Sequence, residues 1–282
     1  MTLESFVTFG KTRIEESRIE CADPILHMKQ ILGAAIGLSS LDFYSRWSEP
    51  LTDKEIQLAN AFLERRLNGE PFQYIVGYEW FWHSQFDVGP GVLIPRKETE
   101  HLVEELLKSK CRDKKRVAEL GAGSGNIGVS VLLERPQWEW HGFEINPQSI
   151  TFLGKNVGRL LPLEAKYFIH EGNFFQKVGD LAPFDIVVSN PPYISVSSFS
   201  QLSREVQHEP KIALIGGEEG TEVLKHLAVK SFEVLKPGGE FLTEIGSDQE
   251  EKILSILSQS GFQSAEVLRD YAGLPRIGKG VK

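Results

Sequence analysis

The glycine-rich segment Glu119-Leu120-Gly121-Ala122-Gly123-Ser124-Gly125 constrains the possible folds of this chain more than any other stretch. It follows a short apolar run and precedes a helical pattern near Asn126, which predicts a strand, a tight turn and a helix in succession. Glycines allow a sharp bend and a close approach to a ligand, and the helix N-terminus offers free N–H groups. Such a segment is typical of the first crossover of a nucleotide-binding α/β sheet.

Helical and strand patterns alternate from Arg96 onward. This alternation predicts an α/β fold, a Rossmann-like and mostly parallel sheet with helices on both faces. A turn at Lys236-Pro237-Gly238-Gly239 separates the last predicted helix from the last predicted strand. The predicted strands are 117–120, 139–145, 166–169, 184–189 and 240–245, and the predicted helices are 98–108, one starting near 126, one after 147, and 222–235.

The first part of the chain has a different pattern. Up to about Gly69, apolar residues recur at helical spacing, and Thr52 with Glu55 forms a capping box that opens a helix ending at Asn68-Gly69. Two short strand patterns at 78–82 and 86–88 then predict a β-hairpin. We therefore expect three parts, a small all-α domain at 1–75, a β-hairpin linker at 76–95 and an α/β domain at 96–282.

Charge and composition limit the possible partners. The net charge is −8 and the pI is near 5.5, whereas proteins that bind duplex DNA usually carry a basic surface. The longest apolar stretch is too short to span a bilayer, and the N-terminus lacks a signal-peptide pattern. Cys21 and Cys111 are too few for a disulfide framework, and the histidines lack metal-ligand spacing. We expect a cytoplasmic monomer without a metal ion and without direct nucleic-acid or membrane contacts.

The glycine segment alone leaves the ligand open. Gly123, Gly125 and Gly128 spell the G-x-G-x-x-G fingerprint of dinucleotide-binding enzymes, and Glu144 ends the next predicted strand at about the expected distance. A carboxylate there can accept hydrogen bonds from both ribose hydroxyls of a nucleotide. A nicotinamide enzyme and a methyltransferase both fit this arrangement, and a purely structural turn is a third reading.

The motif Ser189-Asn190-Pro191-Pro192-Tyr193 decides between them. It follows an apolar strand, and its two prolines hold an extended backbone whose carbonyls remain available. The Asn190 side-chain oxygen and the Pro191 carbonyl can each accept one N–H of a planar NH₂ group, which orients a weak nitrogen nucleophile. Tyr193 offers a flat face to a planar acceptor. This chemistry suits methylation of a conjugated amino or amide nitrogen, for which a nicotinamide enzyme has no use.

With these motifs in place, the chain resembles the HemK-type release factor glutamine methyltransferases, also called protein-(glutamine-N5) methyltransferases. The block Leu93-Ile94-Pro95-Arg96-Lys97-Glu98-Thr99-Glu100 together with the Asn190 motif makes the resemblance specific, and further segments at 69–77, 209–217 and 270–276 extend it over nearly the whole chain. It implies a class I S-adenosylmethionine methyltransferase domain with a seven-stranded sheet at 96–282. It also implies that 1–75 docks the substrate protein, a peptide chain release factor whose Gly-Gly-Gln loop carries the acceptor glutamine.

The resemblance also implies the roles of individual residues. Asn190, Pro191 and Tyr193 are implied to be catalytic, and Asn190 to Tyr193, including Pro192, to hold the glutamine amide. One departure is the pair Asn173-Phe174, where the family commonly has Asp-Trp beside the adenine; Phe174 can still stack on it. The implied contacts to S-adenosylmethionine, and to its product S-adenosylhomocysteine, come from Gly121, Ala122, Gly123, Ser124, Gly125, Glu144, Phe174 and Asn190.

A DNA or RNA adenine-N6 methyltransferase is the alternative function. Adenine N6 is also a conjugated amino nitrogen, and enzymes that modify it use the same motif on a base flipped from its stack. The net charge of −8 and the lack of a basic segment interleaved with aromatic residues argue against it.

Overall fold

The computed structural model describes residues 1–17, 19, 21–108 and 114–282, so Cys111 lies outside the described residues. The chain forms two compact units. The first comprises Met1–Tyr78 and Ser203–His208, and the second comprises Glu79–Leu202 and Glu209–Lys282. The functional division into a docking domain, a linker and a catalytic domain stays a prediction.

The first unit is helical. Its apolar core includes Phe6, Met28 and Leu63, each with no exposed surface. Both hydrogen bonds of the predicted capping box at Thr52 and Glu55 are present, and they open the helix expected there. The helices of this unit are α1 (Leu3–Glu16), α2 (Pro24–Ile36), α3 (Ser40–Arg46), α4 (Asp53–Leu67) and α5 (Phe72–Val76).

The predicted hairpin is a two-stranded sheet of β1 (Tyr78–Phe81) and β2 (Ser84–Asp87), and all of it except Tyr78 belongs to the second unit. The main sheet of this unit has seven strands in the order β10-β11-β9-β6-β3-β4-β5. All neighbours in it pair in parallel except β10 with β11 and β11 with β9. These strands are β3 (Arg116–Leu120), β4 (Glu139–Glu144), β5 (Lys166–Glu171), β6 (Phe184–Ser189), β9 (Leu235–Glu244), β10 (Ser264–Arg269) and β11 (Pro275–Val281).

Helices connect these strands. A single 3-10 turn, Lys97–Thr99, precedes α6, so the regular α-helix begins at Glu100 and not at the predicted residue 98. A second small sheet pairs β7 (Ile194–Ser195) with β8 (Ile215–Gly217). The helices from α6 onward are α6 (Glu100–Lys108), α7 (Asn126–Glu134), α8 (Pro147–Leu160), α9 (Phe174–Lys177), α10 (Val196–Phe199), α11 (Arg204–Gln207, in the first unit), α12 (Glu222–Val234) and α13 (Glu250–Gln259).

The sheet buries both of its faces. Alternate residues of β3 point to opposite sides, so Val117 joins one apolar cluster while Ala118 and Leu120 join the other. This explains why the central strands read as nearly continuous apolar runs in the sequence. Within the part of the chain that the structure describes, no helix is both long enough and apolar enough to cross a membrane.

Strand β9 begins earlier than the sequence pattern predicts. Leu235 already pairs with Phe184, and the register then shifts so that Glu240 pairs with Ile186. The predicted turn at Lys236-Pro237-Gly238-Gly239 is therefore a bulge inside one strand, and its Gly238 N–H donates to the Lys282 carbonyl at 2.7 Å. A turn signal cannot tell a loop between elements from a bulge, because both require the same backbone conformation.

Candidate active site

A cavity of about 240 Å³ lies at the carboxyl ends of the central parallel strands. It sits where the strand order reverses, with β4 on one side of β3 and β6 on the other, which is where open α/β sheets place their ligands. All of its wall belongs to the second unit. The lining includes Leu93, Pro95, Arg96, Thr99, Glu119, Gly121, Ala122, Gly123, Ser124, Glu144, Asn146, Ser149, Asn173, Phe174, Ser189, Asn190, Pro191, Pro192, Ile212 and Val223.

The glycine segment forms the tight turn between β3 and α7. Gly121, Gly123 and Gly125 all have positive φ, a conformation that a side chain would strain. A Cβ on Gly121 or Gly123 would meet no atom within 4 Å, so the backbone there is open to a ligand. Gly125 instead caps α7 and does not line the cavity. Of the predicted cofactor residues in this loop, the structure therefore places all but Gly125 on the cavity wall.

Glu144 stands at the end of β4, on the cavity wall and only 6% exposed. One carboxylate oxygen accepts the Gly123 N–H at 2.8 Å, and the other accepts those of Ile145 and Asn146, each at 2.8 Å. A carboxylate oxygen has two lone pairs, so the oxygen that faces Gly123 retains one for a ligand. Glu144 thus both fixes the glycine turn and offers an acceptor beside it.

Asn173 and Phe174 also line the cavity, after β5. The Asn173 side chain accepts the Phe175 N–H at 3.0 Å and thereby caps the short helix α9. Phe174, the first residue of this helix, lies on the pocket wall, where an aromatic face can stack on a planar ring. The amide at position 173 therefore retains the capping hydrogen bond that an aspartate could make.

The Asn190 motif follows β6 on the opposite side of the switch point. Ser189 donates to the Leu120 carbonyl at 2.6 Å, which ties the end of β6 to the end of β3. Asn190, Pro191 and Pro192 line the cavity, so the motif and the glycine turn share one pocket. Tyr193 does not line it, although the phenol is well shielded from solvent, and burial raises its pKa to about 12.

Comparison with known proteins places the chain in a family. A model of the PrmC N-terminal domain matches residues 8–77, and one of the methyltransferase small domain matches residues 81–209. The release factor glutamine methyltransferases of Geobacter sulfurreducens and Caulobacter vibrioides are each 33% identical to it, over 98% and 100% of this chain and 95% and 97% of their own lengths. The chain belongs to the release factor glutamine methyltransferase family. A methyltransferase of Pyrococcus furiosus shares the fold, with a TM-score of 0.51 at 16% identity over 80% of this chain and 98% of that one.

Membership in this family confirms the resemblance inferred from the Pro95 to Glu100 block and the Asn190 motif. It also confirms that the chain is a methyltransferase with a seven-stranded α/β domain. The two matched family models meet close to the hairpin β1–β2, since the first ends at residue 77 and the second begins at residue 81.

The block at 93–100 of this methyltransferase contributes more to the site than the sequence indicated. Arg96 lines the cavity and forms an ion pair with Glu209, whose second oxygen accepts the Ile94 N–H at 2.9 Å. Glu100 lies elsewhere: it accepts the Trp82 N–H at 2.9 Å and so holds the hairpin. Of these two residues of the block, Arg96 lines the cavity and Glu100 does not.

Sequence reasoning missed a buried link between Thr99 and Glu244. The Thr99 hydroxyl is 2.6 Å from a Glu244 oxygen and 3.0 Å from Asn190 Nδ2. Thr99 is 1% exposed and Glu244 is 3% exposed. The only sequence signal was the position of Thr99 inside the 93–100 block and of Glu244 at the end of a strand.

Glu119, near the end of β3, is a third residue, after Thr99 and Glu244, whose role the sequence did not show. One of its oxygens accepts from Trp140 Nε1 at 2.7 Å and from the Tyr167 hydroxyl at 3.3 Å. Full burial raises the pKa of this carboxyl to about 8, so it is mainly protonated at neutral pH. Its hydrogen bonds hold Trp140 and Tyr167, the two side chains that pack against Gly128 in the first turn of α7.

Proposed function

We propose that this enzyme transfers a methyl group from S-adenosylmethionine to the side-chain amide nitrogen, N5, of the glutamine in the Gly-Gly-Gln loop of peptide chain release factors. The main support for this proposal is that the residues Asn190 to Pro192 and the glycine turn line one cavity, in a chain that belongs to this family. The residue roles that follow are part of the same proposal.

The residues of the cavity fit S-adenosylmethionine. Gly121 and Gly123 leave open space where side chains would stand, Glu144 keeps an acceptor lone pair for a ribose hydroxyl, and Phe174 can stack on the adenine. The neighbouring Ala122 and Ser124 complete this side of the wall. When bound, this cofactor supplies an electrophilic methyl group on a sulfonium.

The chain's own contribution to methyl transfer is orientation of a weak nucleophile. The nitrogen lone pair of a glutamine amide is delocalised into its carbonyl, so the transfer is slow unless the NH₂ group is held in line. We propose that the Asn190 side-chain oxygen and the Pro191 carbonyl each accept one of its N–H bonds. Within the described residues no N–H group is bonded to the Pro191 carbonyl, which leaves it available for this contact.

Tyr193 and Pro192 complete the proposed acceptor site. We propose that Pro192 shapes the wall beside the amide and that Tyr193 presents a flat face to it. Because Tyr193 does not line the cavity, its contact requires the substrate loop to extend toward it. The phenol stays protonated at physiological pH, since its pKa is about 12.

We further propose that residues 1–75 dock the release factor, that the enzyme acts as a monomer in the cytoplasm, where translation terminates, and that it binds no nucleic acid directly. The first unit has its own buried core and carries exposed apolar side chains such as Leu41, 80% exposed, and Tyr44, 83% exposed. Exposed aromatic and aliphatic side chains of this kind are common anchors of protein interfaces.

The test is methylation with isotope-labelled S-adenosylmethionine, followed by mass-spectrometric mapping of the modified residue. Three acceptors are compared: an intact release factor, a short peptide containing Gly-Gly-Gln, and duplex DNA with adenine in varied contexts. We expect label on the glutamine of the intact factor, with a much lower kcat/KM for the peptide because it lacks the docked surface. Label on adenine, or on no acceptor, would refute the proposed function, and equal kcat/KM for factor and peptide would refute docking alone.

A further inference from the structure

The Thr99 hydroxyl is the centre of a buried chain of hydrogen bonds that ends on Asn190. It lies 2.6 Å from a carboxyl oxygen of Glu244 and 3.0 Å from Nδ2 of Asn190. Thr99 stands just before α6, Glu244 ends β9 and Asn190 follows β6, so three separate elements supply the chain. Both Thr99 and Asn190 line the cavity.

The chemistry of these groups determines how the Asn190 amide is turned. A hydroxyl has one hydrogen, and an ionised carboxylate only accepts, so Thr99 donates to Glu244. Toward Asn190 the hydroxyl can then only accept, and the NH₂ end of the carboxamide is the only end able to donate to it. The ionised Glu244 thus selects, through Thr99, one of the two orientations of the amide.

The selected orientation leaves Oδ1 of Asn190 as the atom available to the cavity. Within the described residues, no donor is hydrogen-bonded to this oxygen. We infer that Thr99, held by Glu244, is a positioning residue that turns the Asn190 carboxamide so that its oxygen accepts from the glutamine amide; this inference rests on the proposed function. In this role Thr99 and Glu244 act through Asn190 and not on the reacting atoms.

Protonation of Glu244 removes this selection. A protonated carboxyl can donate to Thr99, and the hydroxyl hydrogen is then free for Oδ1 of Asn190, which turns the NH₂ end toward the cavity. An NH₂ group cannot accept the N–H of the substrate amide, so methyl transfer slows. Burial raises the pKa of Glu244 to about 7, against the lowering effects of its Thr99 hydrogen bond and nearby arginines. The charged or titratable groups that face it are Arg276 of β11, Glu98 and Arg96 ahead of α6, and Tyr193 after β6.

The first test is a double-mutant cycle with single-turnover methylation of a release factor, measured above the pKa of Glu244. Thr99→Val removes the hydroxyl at nearly constant shape, and we expect kcat to fall about 10–100-fold with little change in KM. Thr99→Ser keeps the hydroxyl and should stay within about threefold of wild type. In the Asn190→Ala background, Thr99→Val should change kcat by less than about twofold, because the group it positions is gone. An equal loss in both backgrounds overturns the inference.

The second test is the pH profile of kcat. In the wild type we expect kcat to fall as pH drops through about 7, where Glu244 becomes protonated. The glutamine in Glu244→Gln can still accept from Thr99 but does not titrate. We therefore expect the kcat of this variant to depend less on pH on the acidic side of the profile. An acidic limb that is unchanged in Glu244→Gln contradicts the inference, and this holds even where a Thr99 variant fails to fold.

A third readout needs no methyl transfer. The side-chain NH₂ signal of Asn190, identified by its loss in Asn190→Ala, should be protected from solvent exchange in the wild type and exposed in Thr99→Val. If the wild type methylates no release factor but shows this difference, the proposed function fails and the positioning link stands. If the enzyme is active but the signal is equally exposed in both proteins, the positioning link fails alone.

Discussion

Asn190 is held at one end of its carboxamide by Thr99 and faces the cavity with the other, so its replacement tests the orientation of the acceptor directly. Asn190→Ala removes one of two proposed acceptors for the substrate NH₂ group. A preorganised hydrogen-bonding group of this kind is typically worth about 10²–10³ in rate, and we expect kcat to fall by a comparable factor. Asn190→Asp keeps an acceptor oxygen and should lie between the two proteins. Single-turnover methylation measures the rate of methyl transfer by all three proteins. A rate for Asn190→Ala within a few-fold of the wild-type rate would exclude Asn190 as the residue that orients the amide.

Glu144 is the residue whose loss should affect cofactor affinity more than chemistry. Its carboxylate accepts the Gly123 N–H and offers a lone pair beside it, so Glu144→Ala loses the loop contact and, on the proposed role, the ribose contact as well. We expect the binding free energy of S-adenosylmethionine to weaken by about 1.5–3 kcal/mol, measured by titration calorimetry. Glu134→Ala, at the end of α7, removes the same charge from an exposed site off the cavity wall and serves as the control. A dissociation constant unchanged by Glu144→Ala excludes it as the ribose ligand.

At the scale of an element, the packing of α7 on the sheet depends on Gly128. A Cβ at this position would lie 2.3 Å from Trp140 Nε1 and 2.7 Å from a Tyr167 ring carbon, so the helix or both rings must move. Overpacking of this kind typically costs about 1–3 kcal/mol, and we expect Gly128→Ala to lower the free energy of unfolding by that amount. The third glycine of the G-x-G-x-x-G spacing therefore serves close helix–strand packing in this methyltransferase.

Gly154, in α8, is the matched control. It is exposed, and a Cβ there would meet nothing within 4 Å. Gly154→Ala should raise the free energy of unfolding by about 0.4–1 kcal/mol, because it restricts the unfolded chain without a clash. Urea unfolding curves of the three proteins make the comparison. Equal stability of Gly128→Ala and the wild type would show that α7 adapts to the added methyl group.

For the whole molecule, Glu119 links stability to pH. Burial raises its pKa from 4.5 to about 8, so the folded chain holds this proton over a range in which the unfolded chain releases it. The contribution of Glu119 to the free energy of unfolding is fully present below its pKa in the unfolded chain. This contribution is lost as pH rises through its pKa in the folded chain. The slope is at most about 1.4 kcal/mol per pH unit.

Glu119→Gln isolates this effect, because glutamine can still accept from Trp140 and does not titrate. We expect the free energy of unfolding of the wild type to fall relative to that of Glu119→Gln between about pH 5 and pH 8. Glu244 has a raised pKa as well, but it is present in both proteins and its contribution cancels in the difference. If the difference in the free energy of unfolding between the two proteins stays constant over this pH range, Glu119 is ionised in the folded chain.

Features that depend on chain neighbours were determined by the sequence. The glycine turn after β3, the capping box at Thr52 and the two hairpin strands were predicted correctly, since each follows from backbone preferences within a few residues. The role of the Asn190 motif stays a prediction. The family followed from two such motifs together. Helix α13 and strands β10 and β11 were not assigned residue by residue. Strand β10 lies at the edge of the sheet and its residues are exposed or half-buried, so its apolar pattern is weak.

The tertiary structure alone decided which distant groups meet. Thr99 is hydrogen-bonded to Asn190, 91 residues away in the sequence, and to Glu244, 145 residues away. Arg96 is hydrogen-bonded to Glu209, 113 residues away. Such contacts depend on strand order and on where the turn before α6 lies, and neither is encoded in local spacing. Burial has the same origin: Glu119 ends a strand in the sequence, but only the packing of Trp140 and Tyr167 around it removes its water and keeps it protonated.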